Sequence, residues 1–358
     1  MPKNGGASNP LYINIYDYRS KDYPFNIFIG GRGTGKTYSA LSGFTGDNSQ
    51  VKIPGKFLYM RRRQDDIEVC ADTDKGEGAN PFKSINTDFN HNIGIKAINK
   101  RLYGIYHRQE TEGKMLYVNP AIGYGVALST ISGIRGMDFS DVSDIFYDEF
   151  IPEPHVPKIK NEAKALLNAY ETVCRNRELS GRDAVYLNMA ANSDDIYNPI
   201  FIELGVIDAI ERALSRGKRD VYFPDRGLAI HILQSTPAFL EAKSKTALYR
   251  LTQGTAFADM ALNNNFVNND FTFVEHRKLT GFVPICSYGS ITIYRKKGDR
   301  LYYACYSPSQ CQHYDIKVDA DRIAFRRRYA LQLQGAYIDG FLTFESYAIK
   351  RELLEVIL

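Results

Sequence analysis

One stretch near the N-terminus constrains this chain more than anything else in it. Gly30-Gly31-Arg32-Gly33-Thr34-Gly35-Lys36-Thr37 satisfies the pattern G-x-x-x-x-G-K-[ST]. An unrelated chain of this length carries the pattern by chance roughly once in a hundred times, so its surroundings must decide. Pro24 to Ile29 is a short apolar run ending in glycine, which reads as a buried strand, and Lys36 to Leu41 reads as a helix start. That is the strand–loop–helix setting the pattern requires. Glycines let consecutive backbone N–H groups curl around an anionic phosphate at a helix N-terminus, where the helix dipole also favours negative charge. Gly30, Gly31, Arg32, Gly33, Thr34 and Gly35 then cradle a nucleotide, Lys36 reaches its β- and γ-phosphates, and the Thr37 hydroxyl ligates Mg²⁺.

A second signal stands about 110 residues downstream. Val142 to Tyr147 is an apolar strand that ends in Asp148-Glu149. Ligands of open α/β sheets bind at the carboxyl ends of the strands, which is where Asp148 would hold the Mg²⁺ shell. Glu149 would orient and polarise an attacking water, so the reaction expected is hydrolysis rather than transfer to a small molecule. No N-K-x-D guanine signature occurs, which favours ATP over GTP. Two further positions stay open on the residues alone. Arg175, in Arg175-Asn176-Arg177, is either a guanidinium for transition-state charge or a cation suited to a helix C-terminus. Asn192 is either a γ-phosphate sensor or an ordinary turn residue.

At 358 residues the chain is too long for one ordinary core, and two domains are expected. Strands and helices alternate through the first part, predicting an α/β domain with a mostly parallel sheet over 1–235. Within it, residues 1–10 read as a loose arm, 93–130 as hairpins with turns at Glu112-Gly113 and Ile122-Gly123, and 199–214 as a helix. Residues 236–265 read as a helical linker. A smaller α+β module follows over 266–358, with strands expected at 272–274, 290–294 and 301–306 and helices at 319–334 and 344–358.

Composition excludes several classes. Lys and Arg number 45 against 41 Asp and Glu, a net charge of only +4, so nucleic-acid binding must come from local clusters. Five cysteines without C-x-x-C spacing argue against a disulfide framework or a four-cysteine zinc site. Cys305, Cys311 and His313 lack a second ligand pair and read as ordinary side chains. No apolar run approaches the ~20 residues of a membrane span, and the polar start MPKNGGASNP has no signal-peptide core, so a soluble intracellular protein is expected.

The runs GGRGTGKT, DVSDIFYDEF, ETVCRNREL, AANSDDIYNP and GAYIDGFLTFES together resemble the DNA-packaging ATPases, terminase large-subunit-like motors, of phi29-like small tailed phages. The likeness runs in order over most of the chain and is most specific over 27–200. It implies an additional-strand, catalytic-glutamate (ASCE) ATPase domain followed by a ribonuclease-H-like domain. It also implies a homomeric ring, a pentamer, that pushes double-stranded DNA into a preformed capsid through the portal protein. Such a motor works in the host-cell cytoplasm, docks at the portal vertex only during packaging, and is not expected in the mature virion. A structural packaging RNA serves some relatives, and the likeness leaves open whether it serves this one.

Carried over by position, Lys36 and Thr37 match Walker A, and Asp148 with Glu149 match Walker B. Arg175 falls at the arginine finger that reaches a neighbouring subunit's site, Asn192 at the sensor, and Arg135 at a basic position before the acidic strand. Arg61-Arg62-Arg63 follow the second strand, where related motors expose groups toward DNA. In the C-terminal module, the strand segments 290–294 and 301–306 contain no acid, while Asp315, Asp319 and Asp321 lie beyond them. A nuclease-like fold without nuclease activity is therefore expected, with Lys296-Lys297 and Arg326-Arg327-Arg328 available to grip phosphate backbone. The readings set against this motor are a P-loop helicase or signalling NTPase, and a scaffold that binds nucleotide without turnover.

Overall fold

The computed structural model describes residues 11–51, 53–73, 76–134, 136–153, 156–157, 159–192, 195–255 and 270–358. The expected arm 1–10 and the end of the expected linker lie outside them. Contacts divide the chain into two compact units: Met1–Asp194 with Lys218–Val267, and Asp195–Gly217 with Asn268–Leu358. This differs from a boundary near 235. Residues 195–217 leave the first unit and join the C-terminal one, and the helices of 237–251 stay with the first unit.

The first unit is built on nine strands: β1 Phe25–Ile29, β2 Lys56–Arg61, β3 Ile93–Ala97, β4 Leu102–Thr111, β5 Lys114–Ala127, β6 Val142–Asp148, β7 Tyr186–Ala191, β8 Asp220–Phe223 and β9 Leu228–Ile232. Their order is β3-β4-β5-β2-β6-β7-β1-β9-β8. From β5 through β9 every pairing is parallel, and antiparallel strands close both edges. The central strands are nearly continuous apolar runs because both faces are covered. Helix Lys36–Phe44 lays Ala40, Leu41 and Phe44 on one face, where the Phe44 ring stacks on Phe57 with centroids 4.2 Å apart. Burying each such side chain is worth about 1.5–3 kcal/mol.

Two local expectations fail, one in this unit and one in residues 195–217 of the other. Ile122-Gly123 is no turn, and β5 runs straight through it. A Cβ on Gly123 would lie 2.8 Å from the Phe57 ring, so the glycine marks close approach of backbone to an aromatic face rather than a bend. Residues 199–214 form two helices, Pro199–Leu204 and Ile207–Ser215, because Gly205 takes φ +61° and ends the first. The expected turn at Glu112-Gly113 is present, both residues having positive φ.

The second unit holds β10 Phe282–Tyr288, β11 Ile291–Lys296, β12 Tyr302–Cys305, β13 Gln312–Tyr314 and β14 Leu342–Phe344, in the order β13-β10-β11-β12-β14. β10, β11 and β12 run antiparallel, with β13 parallel to β10 and β14 parallel to β12. The segment 272–274 is not a strand and contributes a single bridge from Val274 to Phe344. Helices Asp319–Phe325 and Leu331–Ile338, joined by the π-helical turn Arg326–Ala330, bury Phe325, Tyr329 and Leu333 against this sheet. Helix Tyr347–Ile357 adds Ile349 and Leu353. No helix among the described residues is long and apolar enough to cross a membrane.

Candidate nucleotide site

The carboxyl ends of three neighbouring strands, β1, β7 and β6, bring the motifs together. β7 lies between β1, which feeds the glycine-rich loop, and β6, which ends in the acids. In register, Ile29 pairs with Ala191 and Ala190 with Asp148. Gly30, Asn192 and Glu149 therefore each follow directly on aligned strand ends. A cleft of about 630 Å³ opens there, lined by the loop from Arg32 to Thr37, by Asp148 and Glu149, and by Ala191 and Asn192.

Within the loop, Gly33 and Gly35 hold φ +78° and +98°, a region that side chains with a Cβ seldom adopt. The Lys36 ammonium donates to the Gly30 and Gly31 carbonyls at 2.9 and 2.8 Å. The Thr37 hydroxyl lies 3.1 Å from both Asp148 oxygens. Burial pushes the Asp148 carboxyl above its ordinary value, against the opposing pull of the Arg61 guanidinium. Glu149 sits at φ +55°, a left-handed conformation for a residue with a full side chain. Such strain, of order 1–3 kcal/mol, is held where the surrounding structure enforces it. These oxygens are of the hard kind that Mg²⁺ takes, so Thr37 and Asp148 fit that ion.

The expected basic triplet separates. Arg61 turns into the site, with Nη2 2.6 Å from Glu149 and Nη1 3.5 Å from Asp148. Its Nη1 also donates to the Tyr59 hydroxyl, which in turn donates to Asp148, both at 3.3 Å. Arg62 is buried, its Nε and Nη2 donating to Glu162 at 2.6 and 2.9 Å, with the Tyr147 hydroxyl on the same carboxylate. Neither is the exposed DNA contact expected from the sequence, because alternation along and just past β2 turns one toward the acids and the other into the core. Arg63 alone is half-exposed, near Asp65.

Arg175 caps helix Glu162–Cys174 at φ +42° and donates to the Met137 carbonyl. It is not among the residues lining the cleft of its own chain. Arg135 lies outside the described residues. In the second unit, Lys296, Lys297 and Arg326 to Arg328 are all exposed. Asp319 pairs with Arg322, and Asp321 accepts the Asp315 N–H at 2.9 Å. His313 meets the Ser287 hydroxyl at 2.9 Å.

Sequence reasoning missed one wall of the cleft. Lys83, Ser84, Thr87 and Asp88 from helix Lys83–Phe89 line it, and Asp88 accepts from the Tyr38 hydroxyl at 2.8 Å. The spacing of Phe82, Ile85 and Phe89 was the available helical signal. Tyr12, also in the lining, had none.

Fold and site together define an α/β domain of the phosphate-loop kind, with an additional strand between the phosphate-loop strand and the acidic strand. The chain belongs to the podovirus DNA encapsidation protein (Gp16) family, whose model matches residues 7–356. It is 27% identical to the DNA packaging protein of Bacillus phage phi29 over 354 residues, 95% of either chain. It is 30% identical to that of Bacillus phage B103 over 267 residues, 72% of this chain and 69% of the relative. Its fold matches a chain of the bacteriophage Phi-29 viral genome packaging motor assembly with a TM-score of 0.63 at 24% identity, covering 97% of this chain and all of the other.

Proposed function

We propose that this chain is the ATP-hydrolysing subunit of a ring motor that drives double-stranded DNA through the portal into a preformed procapsid. The observation that carries the reading is the meeting of Lys36, Thr37, Asp148, Glu149 and Asn192 around one cleft at the ends of β1, β6 and β7. Family membership supplies the DNA-packaging context. Loop N–H groups and Lys36 bind the triphosphate, and Thr37 with Asp148 hold Mg²⁺, which when bound neutralises charge on the phosphate oxygens. Glu149 takes a proton from the attacking water, for which Arg61 must give up or share its carboxylate. Asn192 contacts the γ-phosphate. Arg175, which does not line the cleft of its own chain, serves the site of a neighbouring copy, and Arg135 contributes to ATP binding.

The ring is a homopentamer acting in the host cytoplasm at the portal vertex. A structural RNA between motor and portal is compatible with this reading and not required by it. Nuclease activity is not expected, since β10, β11 and β12 carry no Asp or Glu and the later acids are engaged elsewhere. The half-exposed Arg63 and the exposed Lys296, Lys297 and Arg326 to Arg328 contact phosphate backbone without reading sequence. The test is ATP-driven protection of DNA from added nuclease in the presence of procapsids. Glu149→Gln should abolish protection and lower turnover by about 10²–10⁴ while keeping nucleotide binding. Turnover that survives in Glu149→Gln would overturn the assignment.

A further inference from the structure

We propose that Lys243 is a positioning residue for nucleotide binding, its ammonium pinning a carbonyl of the phosphate loop from outside the motif. The inference rests on the ATPase reading. A glycine-rich loop attracts an anion only while its N–H groups point inward and its carbonyls are held elsewhere, since each carbonyl oxygen is the negative end of a peptide dipole. In this loop each of four carbonyls has a named partner. Gly30 and Gly31 are met by Lys36, and Gly31 also by the Thr34 hydroxyl at 3.0 Å. Thr34 accepts the Ile13 N–H at 2.9 Å. The remaining one, Arg32, at the tip of the loop, accepts the Lys243 ammonium at 2.6 Å.

Lys243 comes from helix Pro237–Ser244, beyond β9 and 207 positions after Lys36. It does not line the cleft, so it acts from behind the loop. Its position is fixed on several sides. The ammonium lies 5.0 Å from the ring centroids of both Phe239 and Tyr249. The helix that carries it is capped by the Thr236 hydroxyl, which accepts the Phe239 N–H and donates to the Leu11 carbonyl, both at 3.1 Å. The Phe239 ring in turn meets Tyr12, which lines the cleft. Burial, with Arg32 nearby, holds the Lys243 ammonium below its ordinary pKa, as fits a cation drawn partly out of water to reach one carbonyl. Lys36 must turn from its carbonyls toward the phosphates when nucleotide enters. Lys243 need not, and keeps the loop tip in place as it does so.

The test compares wild type, Lys243→Met and Lys243→Arg in the full chain, by titration with a fluorescent ADP and by steady-state ATP turnover. Methionine keeps the stem against the rings and removes the charge. The expected result is affinity about tenfold weaker in Lys243→Met, a factor equivalent to 1.4 kcal/mol, with the rise in KM exceeding any change in kcat. Lys243→Arg should recover most of the affinity, which a merely structural loss would not predict. Wild-type affinity in Lys243→Met, or a fall in kcat at constant KM, would overturn the inference alone. A wild-type chain that binds no nucleotide would overturn the ATPase reading and this inference with it.

Discussion

Arg62 and Glu162 form a bidentate pair that is almost wholly removed from water, with side-chain exposures of 4% and 1%. Taking two charges out of water is costly, and their attraction repays it only when both are present. Arg62→Ala should therefore destabilise the first unit by about 3–5 kcal/mol, read as a fall in the denaturant midpoint. Replacing both partners by apolar residues, Arg62→Met with Glu162→Leu, should return most of that loss. Unchanged stability in Arg62→Ala would contradict the burial described. The same residue shows what local sequence can and cannot tell. That Lys36, Thr37 and Asp148 share one cleft was legible because loop chemistry and an acidic strand end leave few alternatives. Three consecutive arginines carry no sign of which one faces water, since that depends on where β2 ends and what lies across from it.

Among the elements, helix Tyr347–Ile357 carries a prediction of its own. Its first N–H, from Tyr347, donates to Glu211 at 2.8 Å. Burial pushes the Glu211 carboxyl from 4.5 up to about 8, so the folded chain holds it protonated at neutral pH. A folded pKa above the unfolded value gives stability that is fully present below about pH 4.5 and is lost as pH rises through about 8. The second unit should thus melt progressively lower between those limits, and Glu211→Gln should flatten the dependence while keeping an acceptor for Tyr347. A melting temperature that ignores pH in the wild type would contradict this. Helix-scale legibility was uneven for a related reason. The pair Pro199–Leu204 and Ile207–Ser215 was visible as one helical pattern, but nothing local reveals that its partner is a helix some 140 positions later. Likewise β13 and β14 have only three residues each and too little alternation to be read alone.

Over the whole molecule, a net charge of +4 cannot by itself hold a duplex. If Arg326, Arg327 and Arg328 meet phosphates, replacing all three by alanine should weaken DNA binding regardless of sequence. It should also reduce the slope of log K against log salt by about 2–3. An unchanged slope would remove that surface from the account. The architecture of the first unit was legible because strand–loop–helix alternation states its own topology, whereas the division of 195–217 from its sequence neighbours is a long-range fact.

In the proposed ring each site is completed by a second copy, one chain giving the cradle and Glu149, the next giving Arg175. Lys36→Ala lacks the cradle and Arg175→Ala the guanidinium, so each should be inactive alone. Mixed in equal amounts they should regain turnover at about a quarter of wild-type sites, the share in which an intact cradle meets an intact neighbour in a head-to-tail ring. A mixture as inactive as its two components would contradict the account.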